Sequence, residues 1–81
     1  MAAKDPMLAR LGAYLRSVRE RRGWSQERFA FECGLHRTYI GSVERGEYNV
    51  TLLTLRKITN TLGITLTEAV ASISRPRRSR K

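Results

Sequence analysis

Residues 25–46 read SQERFAFECGLHRTYIGSVERG, and this stretch predicts two short helices that meet across a glycine. Ser25 is a suitable N-cap for the first helix, because its hydroxyl can accept a hydrogen bond from a backbone N–H of the first turn. Gly34 permits the left-handed turn that swings the chain through a large angle. Ala30 is small enough for the two helices to cross closely, and Gly46 supplies a left-handed end to the second. The inward residues of the first helix would be Phe29, Ala30 and Cys33.

The second helix of this pair is predicted from about His36 to Glu44, and its faces differ in character. Leu35, Ile40 and Val43 anchor it to the core. The outward residues are then Arg37, Thr38 and Ser42. An N-terminal turn of exposed polar side chains is what the major groove of DNA admits. The spacing is therefore that of a helix-turn-helix motif, at about residues 25–45.

Apolar spacings of three and four residues predict three further helices. Thr51 can cap the fourth helix, and Thr65 with Glu68 fits the capping-box pattern at the start of the fifth. No segment of strand length alternates between apolar and polar residues, so the predicted fold is all-α, with five short helices in a domain spanning residues 7–74. In the first helix the apolar residues are Leu8, Leu11, Leu15 and Val18. In the fourth helix, Leu52, Leu55, Ile58 and Leu62 would form a buried stripe. The fifth helix carries Leu66, Val70 and Ile73.

The charge of the chain points to a polyanionic partner. The 81 residues include sixteen Lys or Arg and seven Asp or Glu, a net charge of +9. Five positive charges lie in residues 75–81, a basic tail without apolar periodicity that we expect to be disordered in isolation. A basic domain favours nucleic acid ahead of an acidic membrane. No apolar run approaches the roughly 20 residues that cross a bilayer, which predicts a small, soluble, intracellular domain without a membrane partner.

Chemistry other than binding has little support in the sequence. Cys33 is the only cysteine and His36 the only histidine, so neither an intramolecular disulfide nor a metal site is expected. Cys33 is predicted to be a small buried apolar residue rather than a nucleophile, and no glycine-rich phosphate loop is present. We therefore expect no enzymatic activity, metal, cofactor or small-molecule ligand.

One set of residues forms a pattern that extends beyond the motif: Ser25-Gln26-Glu27, Ala30, Gly34-Leu35, Arg37-Thr38-Tyr39-Ile40, Val43-Glu44-Arg45-Gly46, Thr51-Leu52 and Leu62-Gly63-Ile64. This pattern resembles the Cro/cI-type helix-turn-helix domain of xenobiotic-response-element regulators, over about residues 11–70. The runs at residues 36–40, 44–46 and 49–50 are similar to a narrower group, the controller proteins of restriction–modification systems, which are small stand-alone dimers.

The resemblance implies a role for each matching residue. Arg37 would read bases, because its planar guanidinium can donate two hydrogen bonds to guanine O6 and N7. Thr38 and Ser42 would contact base edges. Arg19 and Glu44 would form an ion pair that ties the first helix to the third. The residues expected at the DNA backbone, or at backbone and bases together, are Ser25, Gln26 as a phosphate clamp, His36, Tyr39, Tyr48 and Asn49.

The function predicted from charge, motif and resemblance is a homodimeric, sequence-specific DNA-binding regulator of bacterial transcription, in the cytoplasm and associated with the nucleoid through DNA. Two copies would place their third helices in successive major grooves, about 34 Å apart, on a near-palindromic operator. RNA polymerase is a further candidate partner. The alternatives are an antitoxin or other solitary repressor, a protein-interaction module that keeps the motif as a scaffold, and a nonspecific RNA or nucleoid binder. The residues assigned to the dimer interface are Leu53, Leu66, Val70 and Ile73.

Overall fold

The computed structural model describes residues 5–74, which form five helices joined by short connections. The predicted all-α class is confirmed for this part of the chain. The basic tail expected at residues 75–81 lies outside the described residues. The helices are α1 (Pro6–Arg21), α2 (Gln26–Cys33), α3 (Arg37–Glu44), α4 (Leu52–Leu62) and α5 (Leu66–Ile73).

Side-chain caps fix where most of these helices begin. The Ser25 hydroxyl accepts from a first-turn N–H of α2 at 3.0 Å, and the Thr51 hydroxyl does the same for α4 at 3.1 Å. Thr65 and Glu68 form the complete capping box at the start of α5. His36 occupies the N-cap of α3 without a side-chain hydrogen bond to the helix. The start of α3 therefore depends on packing more than the starts of α2, α4 and α5 do.

The core lies between α1, the α2–α3 pair and the last two helices. Its largest fully buried side chains include Phe29, Leu15, Ile40 and Ile58. The inward residues predicted for the motif are buried except for Leu35, which is partly buried against the core. The complete apolar core is Leu11, Leu15, Val18, Phe29, Ala30, Cys33, Ile40, Val43, Leu55, Ile58, Leu62 and Ala69.

Leu52 departs from the predicted buried stripe of α4, because it is 66% exposed. The buried face of α4 is made instead by Leu55, Ile58, Thr59 and Leu62. Leu52 is the first helical residue, and Leu53 and Thr54, which follow it, are not buried either. The first three residues of α4 therefore lie outside the core, whereas Thr59 joins the buried face with its hydroxyl hydrogen-bonded to the Arg56 carbonyl at 3.0 Å.

Two glycines let α1 approach the end of α3 very closely. A Cβ atom on Gly12 would collide with the backbone carbonyls of Val43 and Glu44. A Cβ atom on Gly46, just past α3, would lie 2.6 Å from the Cα of Ala9. Because α1 and α3 touch through backbone atoms here, α3 is held on the body of the protein at the end opposite its exposed polar turn.

Candidate nucleic-acid interface

The turn between α2 and α3 sets the orientation of the two helices. Gly34 ends α2 in the left-handed conformation, with φ at 73°. The N–H of Leu35 then donates to the Ala30 carbonyl at 3.0 Å, which closes the end of α2 in the manner of a Schellman motif. Ala30 is buried where the helices meet. The helix-turn-helix predicted from the sequence is therefore present, and α3 begins at a defined angle to α2.

The N-terminal turn of α3 exposes the residues predicted to read DNA. Arg37 and Thr38 are exposed, and Ser42 is partly exposed one turn further along. The Arg37 Nε donates to Glu27 Oε2 at 2.9 Å, which links the first turns of α3 and α2. Sequence reasoning missed this partner, because the two residues are ten positions apart and belong to different helices.

A buried ion pair lies behind this exposed turn. Arg19 donates from Nε to Glu44 Oε2 at 2.6 Å and from Nη2 to Oε1 at 3.0 Å, so the ion pair expected between α1 and α3 is present. Both side chains are nearly inaccessible, at 9% and 3% exposed. The hydrogen bond with Glu44 is the largest cause of the raised pKa of Arg19. Arg19 Nη1 also donates to the Trp24 carbonyl at 2.8 Å, which extends the network to the connection before α2.

Gln26, expected to be a phosphate clamp, already makes a side-chain hydrogen bond within the protein. Its Nε2 donates to Glu44 Oε1 at 3.0 Å, so the side chain joins the Arg19–Glu44 network. This bond holds the amide at the N-terminus of α2, beside the exposed cap residue Ser25. A phosphate approaching this corner would meet the helix N-terminus, which favours anions.

Three further predicted contact residues lie on α3 (Tyr39) and in the loop that follows it (Tyr48 and Asn49). Tyr39 and Tyr48 pack edge to face, with ring centroids 4.8 Å apart. Burial is the main cause of the raised pKa of Tyr39, whereas Tyr48 and Asn49 are exposed. Tyr39 therefore packs against the loop, and Tyr48 and Asn49 are accessible at the surface.

Arg45 is a basic residue near the candidate interface to which the sequence pattern assigned no individual role. Its Nε pairs with Glu47 Oε2 at 3.1 Å, and its Nη2 lies 3.5 Å from Ser42 Oγ. The sequence itself indicated that Arg45 lies beside Ser42, because residues three positions apart share one face of a helix.

The described residues hold no cluster that suggests a metal site or a nucleophile. No three His, Cys, Asp or Glu side chains come together between residues 5 and 74. Cys33 is buried, its thiol lies 3.9 Å from the Lys57 carbonyl, and burial raises its pKa, which disfavours the reactive thiolate. Within the same part of the chain, none of the helices has the length and apolar character of a membrane span.

Comparison with known proteins supplies the family. A family model described as helix-turn-helix matches residues 15–68, from within α1 to the first turn of α5. The chain belongs to the Cro/cI-type helix-turn-helix family. The matched span of this helix-turn-helix protein includes α2, α3 and the loop that follows, so it contains the whole candidate interface.

Similar members of the family include controller proteins of restriction–modification systems. Control protein C.MunI of a Mycoplasma species is 45% identical over 67 residues, which cover 82% of this chain and 90% of C.MunI. The crystal structure of the restriction–modification controller protein C.AhdI from Aeromonas hydrophila superposes with a TM-score of 0.74 at 44% identity, covering 76% of this chain and 94% of C.AhdI. The controller protein C.Esp1396I, as a tetramer with its natural 35-base-pair operator, superposes with a TM-score of 0.74 at 26% identity, covering 85% of this chain and 96% of that one.

Proposed function

We propose that this helix-turn-helix protein is a homodimeric transcription regulator that binds a near-palindromic operator and controls a restriction–modification system. The observation that carries this proposal is the exposed polar turn of α3. This turn is exposed to solvent at the N-terminal end of α3. The C-terminal end of α3 is held by the Arg19–Glu44 ion pair and by backbone contact with α1. A polar helix end on a rigid support suits the major groove. The similarity to C.MunI and C.AhdI supports the control of restriction–modification genes.

The residues of the motif divide into two proposed roles. Arg37, Thr38 and Ser42 would read base edges. The backbone would be contacted around the N-terminus of α2 and along the loop after α3, and the 75–81 tail would add nonspecific attraction to the 7–74 DNA-binding domain. The residues proposed for backbone or mixed contacts are Ser25, Gln26, His36, Tyr39, Tyr48 and Asn49.

Selection of bound duplexes from a random pool, followed by footprinting, tests the proposed function. We expect enrichment of a near-palindrome whose half-sites lie about 34 Å apart, one helical turn of DNA. Footprinting should protect both half-sites together, because each would hold one protomer. A pool that stays random after repeated rounds would contradict sequence-specific binding, and would favour the protein-interaction alternative.

Arg37→Ala should lower affinity for the selected operator by about 1–3 kcal/mol and relax the base preference at one position of each half-site. The reason is the loss of a planar donor pair that matches guanine. Competition titrations with operators changed at single positions measure the effect. Arg16→Ala is the control, because Arg16 is also an exposed arginine in an ion pair, with Glu20 at 3.0 Å, but lies on α1. Equal weakening on every sequence would make Arg37 a phosphate contact.

The proposed dimer interface is centred on α5. Leu66 and Val70 line one shallow groove, whereas Leu53 lines a different groove between α2 and α4, and Ile73 is partly buried against the core. The four residues therefore do not form a single groove within one protomer. Among the three members on α5, Val70, at 42% exposed, can be changed with the least disturbance to the core, because Leu66 and Ile73 are partly buried against it.

Val70→Asp should raise the dimer dissociation constant by at least about tenfold, because a carboxylate would be desolvated in an apolar interface. Analytical ultracentrifugation over a concentration series measures it. Phe31→Asp is the matched control, since Phe31 is 80% exposed on α2 and lies outside the proposed interface. A wild-type protein that is only monomeric at tens of micromolar would contradict the dimer.

Localisation and further partners follow from the proposed activity. A regulator of this kind acts in the bacterial cytoplasm, associated with the nucleoid through its operator. RNA polymerase would be a partner where the operator adjoins a promoter, so the position of the footprint relative to the promoter decides between activation and repression. Dimerisation in the physiological concentration range would make occupancy rise steeply with protein level.

A further inference from the structure

The first turns of the two motif helices are joined by an ion pair on the proposed DNA-facing side. Glu27 on α2 accepts from Nε of Arg37 on α3 at 2.9 Å, and the side chains are 69% and 54% exposed. Exposed ion pairs of this kind add little to folding stability, so stability does not account for the pair. A carboxylate in this position also opposes the approach of phosphates. Because Glu27 nevertheless lies beside Arg37, the residue proposed to contact bases, the pair points to a role in DNA binding.

The carboxylate of Glu27 favours its charged form. Its pKa lies below the usual value, first because it interacts with the backbone N–H of its own residue and next because it pairs with Arg37. Glu27, in the first turn of α2, therefore presents an ionised carboxylate to Arg37 at neutral pH. A charged acceptor 2.9 Å from Nε can restrain the long Arg37 side chain, which would otherwise sample many rotamers.

The nitrogen that Arg37 uses to bind Glu27 determines which of its N–H groups remain available for DNA. The bond to Glu27 uses Nε, on the inner edge of the guanidinium. The outer edge, formed by Nη1 and Nη2, has the spacing that matches O6 and N7 of guanine. A guanidinium held by its inner edge is thus oriented for two-point recognition along its outer edge.

We propose that Glu27 is a positioning residue for base recognition, which holds the Arg37 guanidinium so that Nη1 and Nη2 form a preset donor pair for guanine. This proposal rests on the DNA-binding function proposed above. It predicts effects of opposite sign on two kinds of DNA. Loss of the carboxylate removes a charge that repels phosphates, which strengthens binding to any duplex. It also frees the Arg37 side chain, so binding to the operator must then include the entropy cost of ordering that side chain.

The test compares Glu27→Ala with Glu32→Ala in the full-length protein. Glu32 lies on the same helix and pairs with Arg28 at 2.8 Å, so both variants remove one negative charge and one exposed ion pair from α2. Affinities are measured for the selected operator, for an operator with the guanine opposite Arg37 replaced, and for an unrelated duplex. Melting temperatures establish that each variant is folded.

Glu27→Ala should reduce the ratio of operator to unrelated-duplex affinity by about threefold to tenfold, with the loss confined to the guanine position. Glu32→Ala should leave that ratio within about twofold of wild type. In an Arg37→Ala background, Glu27→Ala should no longer change the ratio, because there is no guanidinium left to orient.

Two results would overturn the proposal while leaving the regulator function intact. One is a Glu27→Ala variant that keeps the wild-type ratio. The other is a loss of discrimination that persists in the Arg37→Ala background, which would make Glu27 a direct contact to DNA. A wild-type protein without any preference for the selected operator would instead refute the proposed function itself.

Discussion

Glu44→Ala is expected to lower the free energy of unfolding by about 3–5 kcal/mol, because it leaves the buried Arg19 guanidinium without its counterion. The Glu44 carboxylate accepts from Arg19 at 2.6 and 3.0 Å and from Gln26 at 3.0 Å. Its loss would release α1, α2 and α3 from one another at the same point. A domain of this size has a total stability of roughly 4–12 kcal/mol, so the variant is expected to lose a large share of its free energy of unfolding.

Chemical denaturation followed by circular dichroism measures this change, with Glu32→Ala as the control. Glu32 makes an exposed ion pair within α2, and its removal should cost less than about 1 kcal/mol. The double substitution Arg19→Met with Glu44→Leu should recover most of the loss, because it replaces both charges by apolar volume. If Glu44→Ala and Glu32→Ala destabilise the protein equally, the buried pair contributes no more than a surface pair.

Gly46→Ala should destabilise the protein by about 2–5 kcal/mol, because two penalties coincide. The residue has φ at 75°, in the left-handed region that costs other residues about 1–2 kcal/mol. A Cβ atom there would also lie 2.6 Å from Cα and 2.8 Å from N of Ala9, so α1 would have to move away from α3. Overpacking of this kind costs typically about 1–3 kcal/mol.

Gly34→Ala separates the two penalties. Gly34 has nearly the same backbone conformation, with φ at 73°, but a Cβ atom there would meet nothing within 4 Å. We therefore expect a loss of only about 1–2 kcal/mol at this position. Thermal unfolding of the two variants side by side gives the difference. Equal melting temperatures would mean that α1 can move away from a Cβ atom at position 46 without any loss of stability.

The helices and the motif were predictable because their signals are local. Ser25, Thr51 and Thr65 cap the helices that the sequence assigned to them, and Gly34 ends α2 as expected. Each of these signals depends on residues within one helical turn. The ion pair of Arg19 with Glu44 was expected only through the family resemblance, since its partners lie on α1 and α3.

The places where the sequence was insufficient are those that depend on how helices meet. Leu52 has the right spacing for the buried stripe of α4, yet the first three residues of that helix lie beyond the core. Gln26 bonds to Glu44 in addition to any contact with phosphate, and Arg37 bonds to Glu27. Periodicity identifies the face of a helix, but not which residues of that face reach another element.

By itself, the sequence determined the all-α class, the helix-turn-helix and the exposed polar turn of α3, because capping, glycine conformation and apolar spacing act over a few residues. Only the tertiary structure decided that α1 and α3 touch through Gly12 and Gly46, that Gln26 joins a buried ion pair, and that Arg37 is held by Glu27. These features join residues from different helices, and the angle and distance between packed helices arise from the whole core at once.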